Sequence, residues 1–461
     1  MKKFLLIATL ILVLFALLAC TGQDADETDT GTPGTAPPAT GTDPVTAAPT
    51  DEIVEIRFQW WGDTVRHDRY FEIIELFHET YPNIRVIAEP ASWGDFWTRL
   101  ATQTGGGNPA EVFGMHPQFV SDYALRGVLA DLGPFVDQGL IDISHISDSV
   151  INGSIIDGYL IGIPKGITFQ ALGANRLLAE RFGIDIPDRF SDWTWEEFYN
   201  QAVAFMNAVD GQDYQWIPNH VTEWVYFRWF ARQAGGDIYT PDAMELGFEE
   251  ETLIYWFDFW ARLQEIGAVP QDPSVTIEQA QMPWQQRRFA NGITVFNAIP
   301  ANQLSLFQAQ AEETDIFFDM VRVPRALNEP QRAENLELPM KSISSQANEA
   351  EARAAAIFIN FWLNTEASME IFQLEHGVAP NQAMGEHITP LLTAPAIRTM
   401  EFVEAMLDEV QAGVYPPLGA QEINSLFANI GEMVLFGMLS PEEAARQFID
   451  EANDILERNR E

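Results

Sequence analysis

The chain has 461 residues, with 67 acidic side chains against 26 Lys and Arg, a formal net charge of −41 and a single cysteine. That length exceeds one ordinary domain and suffices for two lobes with full cores. The charge excludes nucleic acid as a partner, because such a surface repels phosphate, and one cysteine excludes a disulfide within the chain. The acids are spread along the sequence, which marks a solvated surface and not a cation site.

Lys2 and Lys3 precede an apolar run from Phe4 to Leu18 that ends in Leu17-Leu18-Ala19-Cys20. A positive start, an apolar stretch too short for a comfortable membrane span and a small residue before the cut make a secretory signal. The pattern resembles a bacterial lipoprotein signal, with Cys20 becoming the lipidated first residue. Residues 21–50 contain no aromatic residue and only Val45 as a large aliphatic one, so they cannot bury enough surface to fold and read as a disordered linker. No later apolar run is long enough to span a bilayer, so the body is expected to be soluble and tethered by lipid alone.

The body opens with a clean strand in which Val54, Ile56, Phe58 and Trp60 alternate with Glu55, Arg57 and Gln59. It ends in Trp61-Gly62-Asp63. A helix with Tyr70, Ile73, Ile74 and Phe77 on one face stops at Tyr81-Pro82. Ile84, Val86 and Ala88 form a second strand ending near Trp93. A helix through Phe96 and Leu100 then leads to a third strand, Val112 to Met115, ending at His116. Strand, helix, strand, helix, strand predicts a parallel α/β sheet, and ligands of such sheets gather beyond the carboxyl ends of the strands, where Asp63, Trp93 and His116 fall.

The stretch DGYLIGIPKGITFQALGAN, Asp157 to Asn175, places two apolar runs either side of Pro164-Lys165-Gly166. This predicts a passage from one compact body to another, with glycine giving the backbone room to turn. After the first three residues the chain has only two lysines, Lys165 and Lys341, and one stands in that step. Thr194 with Glu197, and Asn348 with Glu351, make capping boxes that start helices, and Ser440-Pro441-Glu442-Glu443 opens a last one. Returns of the chain between the lobes are expected at Val321–Pro324 and near Gly377–Pro380.

IRFQWWGD, ELFHETYPNIRV, GNPAEVFGMHPQFVSDYALRGVLADL, GYLIGIPKGITFQALGAN, SDWTWEEF, RRFANGITVFNA and EHGVAPNQ follow one another in order. Together, over residues 53 to about 380 and behind a lipoprotein signal, the series resembles the extracellular solute-binding proteins of ABC importers. The class it is most similar to is the carbohydrate-binding one that includes maltose-binding proteins. The resemblance implies a two-lobed α/β fold of the type II periplasmic-binding-protein kind, each lobe a sheet flanked by helices. It puts 51–164 and 321–377 in one lobe and 165–320 and 378–461 in the other. It also implies a monomer that hands its solute to permease subunits from the extracytoplasmic face of the membrane.

Catalytic signatures are missing from the sequence: no G-x-S-x-G, no H-E-x-x-H, no P-loop, and no second cysteine or suitably spaced histidines for a metal. Neither cofactor nor metal is expected. Tryptophan is abundant instead, thirteen in all. An indole stacks on the apolar C–H face of a sugar ring, while Asp, Asn, Lys and His serve its hydroxyl edge. The candidate ligand residues are Trp61, Asp63, Trp93, His116, Lys165 and Thr168, with Glu223, Trp224, Trp284 and Asn297 for the second lobe. Glu223 and Trp224 are carried by the resemblance. For each, packing, capping or an interlobe salt bridge is the competing role, and for Trp60, on the inward side of its strand, core packing and ligand contact stay equally open. The rival readings are a binding protein for a peptide or polyamine, with Asp63 and Glu223 facing each other, and a secreted polysaccharide-degrading enzyme.

Overall fold

The computed structural model describes residues 53–283, 286–311, 316–326, 333–407 and 409–460. Cys20 and Trp284 lie outside them. β1 (Val54–Trp61) buries Ile56, Phe58 and Trp60 against α1 (Thr64–Thr80), whose Tyr70, Ile73, Ile74 and Phe77 face the sheet. Asp63 caps α1 by accepting the Arg66 backbone N–H at 3.1 Å. β2 (Ile84–Ala91) runs parallel to β1 from Val54↔Ile84 to Trp61↔Ala91. α2 (Trp93–Gly105) starts at the Ser92 cap, so Trp93 sits in a first helical turn and not at the strand end. β3 (Val112–Met115) pairs parallel to β1, and α3 (Val120–Leu125) follows.

Two short helices, α4 (Gly133–Asp137) and α5 (Asp148–Asn152), and a small hairpin of β4 (Ile155–Ile156) and β5 (Tyr159–Leu160) lead to β6 (Ile163–Pro164). The next strand, β7 (Thr168–Asn175), belongs to a different sheet. The chain therefore changes sheets at Lys165-Gly166-Ile167, the step that the sequence marks. α6 (Arg176–Arg181) and α7 (Trp195–Val209) follow, the latter started by the Thr194–Glu197 capping box. α8 (Trp224–Gln233), α9 (Glu250–Glu265) and α10 (Pro273–Gln281) come next. β8 (Phe296–Pro300), α11 (Leu304–Gln310) and β9 (Phe318–Val321) succeed them. β8 and β9 flank β7, both antiparallel.

β9 pairs Leu172 with Val321, and Arg325 bridges to Thr194, so the chain is still on the second sheet where a return was expected. The change of sheet comes later. β10 (Asn335–Glu337) pairs with β7, whereas β11 (Met340–Ile343) pairs antiparallel with β3 and β6. Only Leu338 and Pro339 separate them. The first sheet then reads β2-β1-β3-β11-β6. α12 (Glu349–Asn364), capped by Asn348 and Glu351, covers it with Phe358, Phe361 and Trp362, and α13 (Glu366–Phe372) follows.

Val378 and Ile167 exchange two backbone hydrogen bonds of 2.9 Å, which holds the segment after α13 against the Lys165 step, and beyond it Asn381 still bonds Asn364 of α12. Glycine makes this approach feasible. A Cβ on Gly166 would lie 2.1 Å from the His376 carbonyl oxygen, and Gly377 has φ +118°. α14 (Gln382–Ile388) and α15 (Ala394–Met406) lead to β12 (Gln411–Ala412), which pairs with β10. α16 (Ala420–Leu435) and α17 (Pro441–Arg460) pack on α8 and α9 over a core rich in indoles, including Trp195, Trp216, Trp224, Trp229, Trp256 and Trp260.

Candidate functional site

Because β1, β2 and β3 are parallel, their carboxyl ends bring Trp61, Trp93 and His116 to one edge. Ring centroids stand 5.2 Å apart for Trp61–Trp93, 5.3 Å for Trp93–His116 and 6.2 Å for Trp61–His116. Trp97 and Phe119 complete the cluster, 4.1 Å apart. The rings are not equally open. Trp61 is 7% exposed and packed on Phe96 and Trp97, while Trp93 is 41% exposed. The indole available for stacking is thus Trp93, and the expectation that Trp61 offers its face is corrected by α2, which covers that side of the sheet.

Lys165 occupies the Trp61 face. Its ammonium lies 4.0 Å from the ring centroid, and its side chain is almost wholly buried. Gly114 provides the room, since a Cβ there would stand 2.7 Å from Trp61 and 3.1 Å from Lys165 Nζ. Burial, with Arg66 next, drives the Lys165 pKa well below the usual lysine value. Thr168 is buried and donates to Asn302 Oδ1 at 3.1 Å, while Asn302 donates to the Glu375 carbonyl at 2.7 Å. Thr168 thus links the start of β7, through Asn302, to the segment after α13. Asp63 is half-buried with its carboxylate on the Arg66 amide of α1.

A cavity of about 100 Å³ opens beside His116. His116 and Gln118 line it from the first sheet, Trp224, Tyr239 and Asn424 from helices and loops around the second, and Glu337 from the end of β10 on the second sheet. The Gln118 amide donates to His116 Nδ1 at 3.2 Å, which turns Nε2 toward the Glu337 carboxylate 3.7 Å away. Glu337 also accepts from Gln170 at 3.1 Å. Trp224 is buried on Phe427 and Phe448, so it belongs to the core and shows the cavity one edge.

Glu223 and Asn297 fall in a separate polar cluster with His220 and Tyr226. Asn297 is buried on β8 and hydrogen-bonds the His220 side chain. Burial lowers the His220 pKa to about 3, with Arg287 adding to the effect. Burial also raises the Glu223 pKa, against the pull of Arg287. His220 Nε2 and Asn297 Nδ2 are buried and have no hydrogen-bond partner among the described residues.

Sequence reasoning missed Trp97, Phe119, Glu337, Tyr239 and His376. The signal for His376 was present in EHGVAPNQ, because its ring lies 6.2 Å from Trp61 and accepts or donates to Tyr70 OH at 3.1 Å. Contacts from α16 and the loop before it were also missed: Asp122 of α3 accepts the Gly419 amide at 3.2 Å, and Tyr415 OH donates to the Gly153 carbonyl. Among the described residues no group of three or more His, Cys, Asp or Glu could hold a metal ion.

A sequence match to the bacterial extracellular solute-binding proteins runs over residues 72–398. The chain belongs to this family. It is a family of binding proteins that act outside the cytoplasm, and no helix among the described residues is long and apolar enough to cross a membrane. An extracellular solute-binding protein of family 1 from Alicyclobacillus acidocaldarius is 25% identical, with a TM-score of 0.63 over 88% of this chain and 100% of its own. A periplasmic oligogalacturonide-binding protein from Yersinia enterocolitica, solved with saturated digalacturonic acid, is 18% identical, with a TM-score of 0.77 over 88% of this chain and 100% of that one. These likenesses make the architecture the two-lobed periplasmic-binding-protein fold. An uncharacterized lipoprotein in the oleD 5′ region of Streptomyces antibioticus is 28% identical over 160 residues, 34% of each chain, so the match spans about a third of that relative.

Proposed function

We propose that this solute-binding protein captures a carbohydrate between two lobes and delivers it to the permease of an ABC importer. One lobe carries the first sheet, the other the second, and the three passages between them form the hinge. The observation that carries the reading is Trp93: an open indole at the carboxyl edge of the first sheet, next to His116 and the cavity. One indole face, about half of roughly 200 Å² at about 25 cal/mol/Å², supplies about 2.5 kcal/mol of the about 8 kcal/mol that micromolar binding requires. Hydrogen bonds from His116, Glu337 and the second lobe supply direction. The solved oligogalacturonide complex of a fold relative agrees with this choice of solute.

The polyamine reading finds less support. Asp63 caps a helix, and Glu223, its expected counterpart, lies buried in a separate polar cluster. Cys20 is proposed as the lipid attachment, with residues 21–50 a spacer and the mature protein a monomer held at the extracytoplasmic face. Its role is transport and not catalysis. A thermal-shift screen of oligosaccharides, peptides and polyamines, followed by titration calorimetry, tests the reading. Oligosaccharides are expected to raise the melting temperature and titrate as one site. A peptide or polyamine binding instead would overturn it.

A further inference from the structure

The body has two lysines, and both are buried, yet their surroundings differ. Lys341 donates to Tyr70 OH at 2.9 Å and stands 3.4 Å above Trp362, with Phe58, Tyr70 and Phe372 around it. It is enclosed and has an acceptor. Lys165 has one indole face at 4.0 Å and, among the described residues, neither a hydrogen-bond acceptor for its ammonium nor a carboxylate within ion-pair distance. A buried ammonium without an opposite charge is costly in a folded protein, and one aromatic face offsets only part of that cost.

Other bases surround Lys165: Arg66 opposes its charge, while burial suppresses the charge of Lys341 and His376. Arg66 comes from α1, Lys341 from β11, His376 from the segment after α13 and His116 from the end of β3. The acids close by are engaged elsewhere: Glu375 with Arg66 at 3.0 Å, and Glu337 with Gln170 and His116. Among the effects on Lys165, burial and Arg66 both disfavour its charge, and no acid supports it. In a chain with 67 acids, the Lys165 amine thus lies one ring away from the open Trp93 with no acid partner among the described residues.

We propose that the solute is an anionic carbohydrate, whose acidic group is received by Lys165 while a sugar ring stacks on Trp93. This rests on the carbohydrate reading above and deepens it. The acidic group forms a charge-assisted hydrogen bond to Nζ and supplies the opposite charge that the fold withholds. Because the acid favours the protonated amine, the two bindings are linked. Affinity for the anion falls as pH rises through the lowered pKa of Lys165 in the free protein, whereas a neutral sugar is insensitive to that titration.

The test is calorimetric titration of the full chain with α-1,4-digalacturonate, its carboxyl-reduced neutral counterpart and a sulfate ester of that neutral disaccharide. The two acidic probes distinguish carboxylate from sulfate as the source of the charge. An acidic probe is expected to bind at least tenfold more tightly than the neutral one. Lys165→Met should abolish the preference and Lys341→Met should retain it, with thermal melts confirming that both variants fold. The wild-type pH series stands independently of either variant. Equal or tighter binding of the neutral sugar, or a preference that survives Lys165→Met, overturns the proposal and leaves the carbohydrate reading intact. Failure of every sugar to bind overturns both.

Discussion

Trp60, Trp61 and Trp93 show how one side-chain type takes three roles within a short stretch. Period two along β1 sends Trp60 toward Phe58 and Tyr70 and Trp61 to the opposite face. That direction is legible in the alternation. The burial of Trp61 is not, because its cover comes from α2, from His376 and from Lys165, whose approach depends on chain packing. Trp93→Ala should therefore weaken sugar binding by about tenfold, roughly 1.4 kcal/mol, with little change in melting temperature. Trp61→Ala should destabilise the fold by about 3 kcal/mol, as removal of a core indole does. Calorimetry and urea unfolding measure the two effects separately. Unchanged affinity for Trp93→Ala would remove the stacking platform from the site.

Among the elements, what is local in sequence was also legible in it. The capping boxes at Thr194 and Asn348 bond reciprocally as their spacing requires, and the Pro164-Lys165-Gly166 step is where the chain changes sheets. The return was not legible, because β9 and β10 are both short and both pair with β7, and pairing alone decides which sheet a strand joins. The same holds for Asp122, which meets the amides of Gly419 and Gln421 at the start of α16. An anion suits a helix N-terminus, but burial outweighs those hydrogen bonds and raises the Asp122 pKa. The sign follows: a carboxyl whose pKa is higher with the lobes in contact favours contact below that pKa and loses the advantage as pH rises through it. Asp122→Asn keeps an acceptor without the charge and should hold the lobes together at least as well as the wild type at pH 7. Asp122→Ala should open them, increasing the radius of gyration in solution scattering. A larger radius for Asp122→Asn than for Asp122→Ala would show that the carboxylate charge itself is what joins the lobes.

At the scale of the whole molecule, acids are dispersed over the chain while several bases lie in the interior with their charge suppressed. Lys165, Lys341, His376 and His220 all have lowered pKa values, burial being the first cause each time. Acidification forces protons onto these groups, yet it also relieves the repulsion within a chain of net charge −41, so the overall pH profile is a contest. His220 isolates one side of it. Its pKa falls from 6.5 in the unfolded chain to about 3 in the fold, so below pH 6.5 the unfolded state binds a proton that the native state refuses. The stability that a neutral, buried His220 contributes is therefore complete above pH 6.5 and declines as pH falls toward 3. One proton corresponds to a slope of at most about 1.4 kcal/mol per pH unit. His220→Gln lacks this titration and still offers polar atoms to Asn297. In urea unfolding at pH 7, 5.5 and 4.5, the wild type should lose its advantage over His220→Gln step by step. Parallel stability curves for the two proteins would mean that His220 titrates alike in both states, and the polar cluster on β8 would then be open to water.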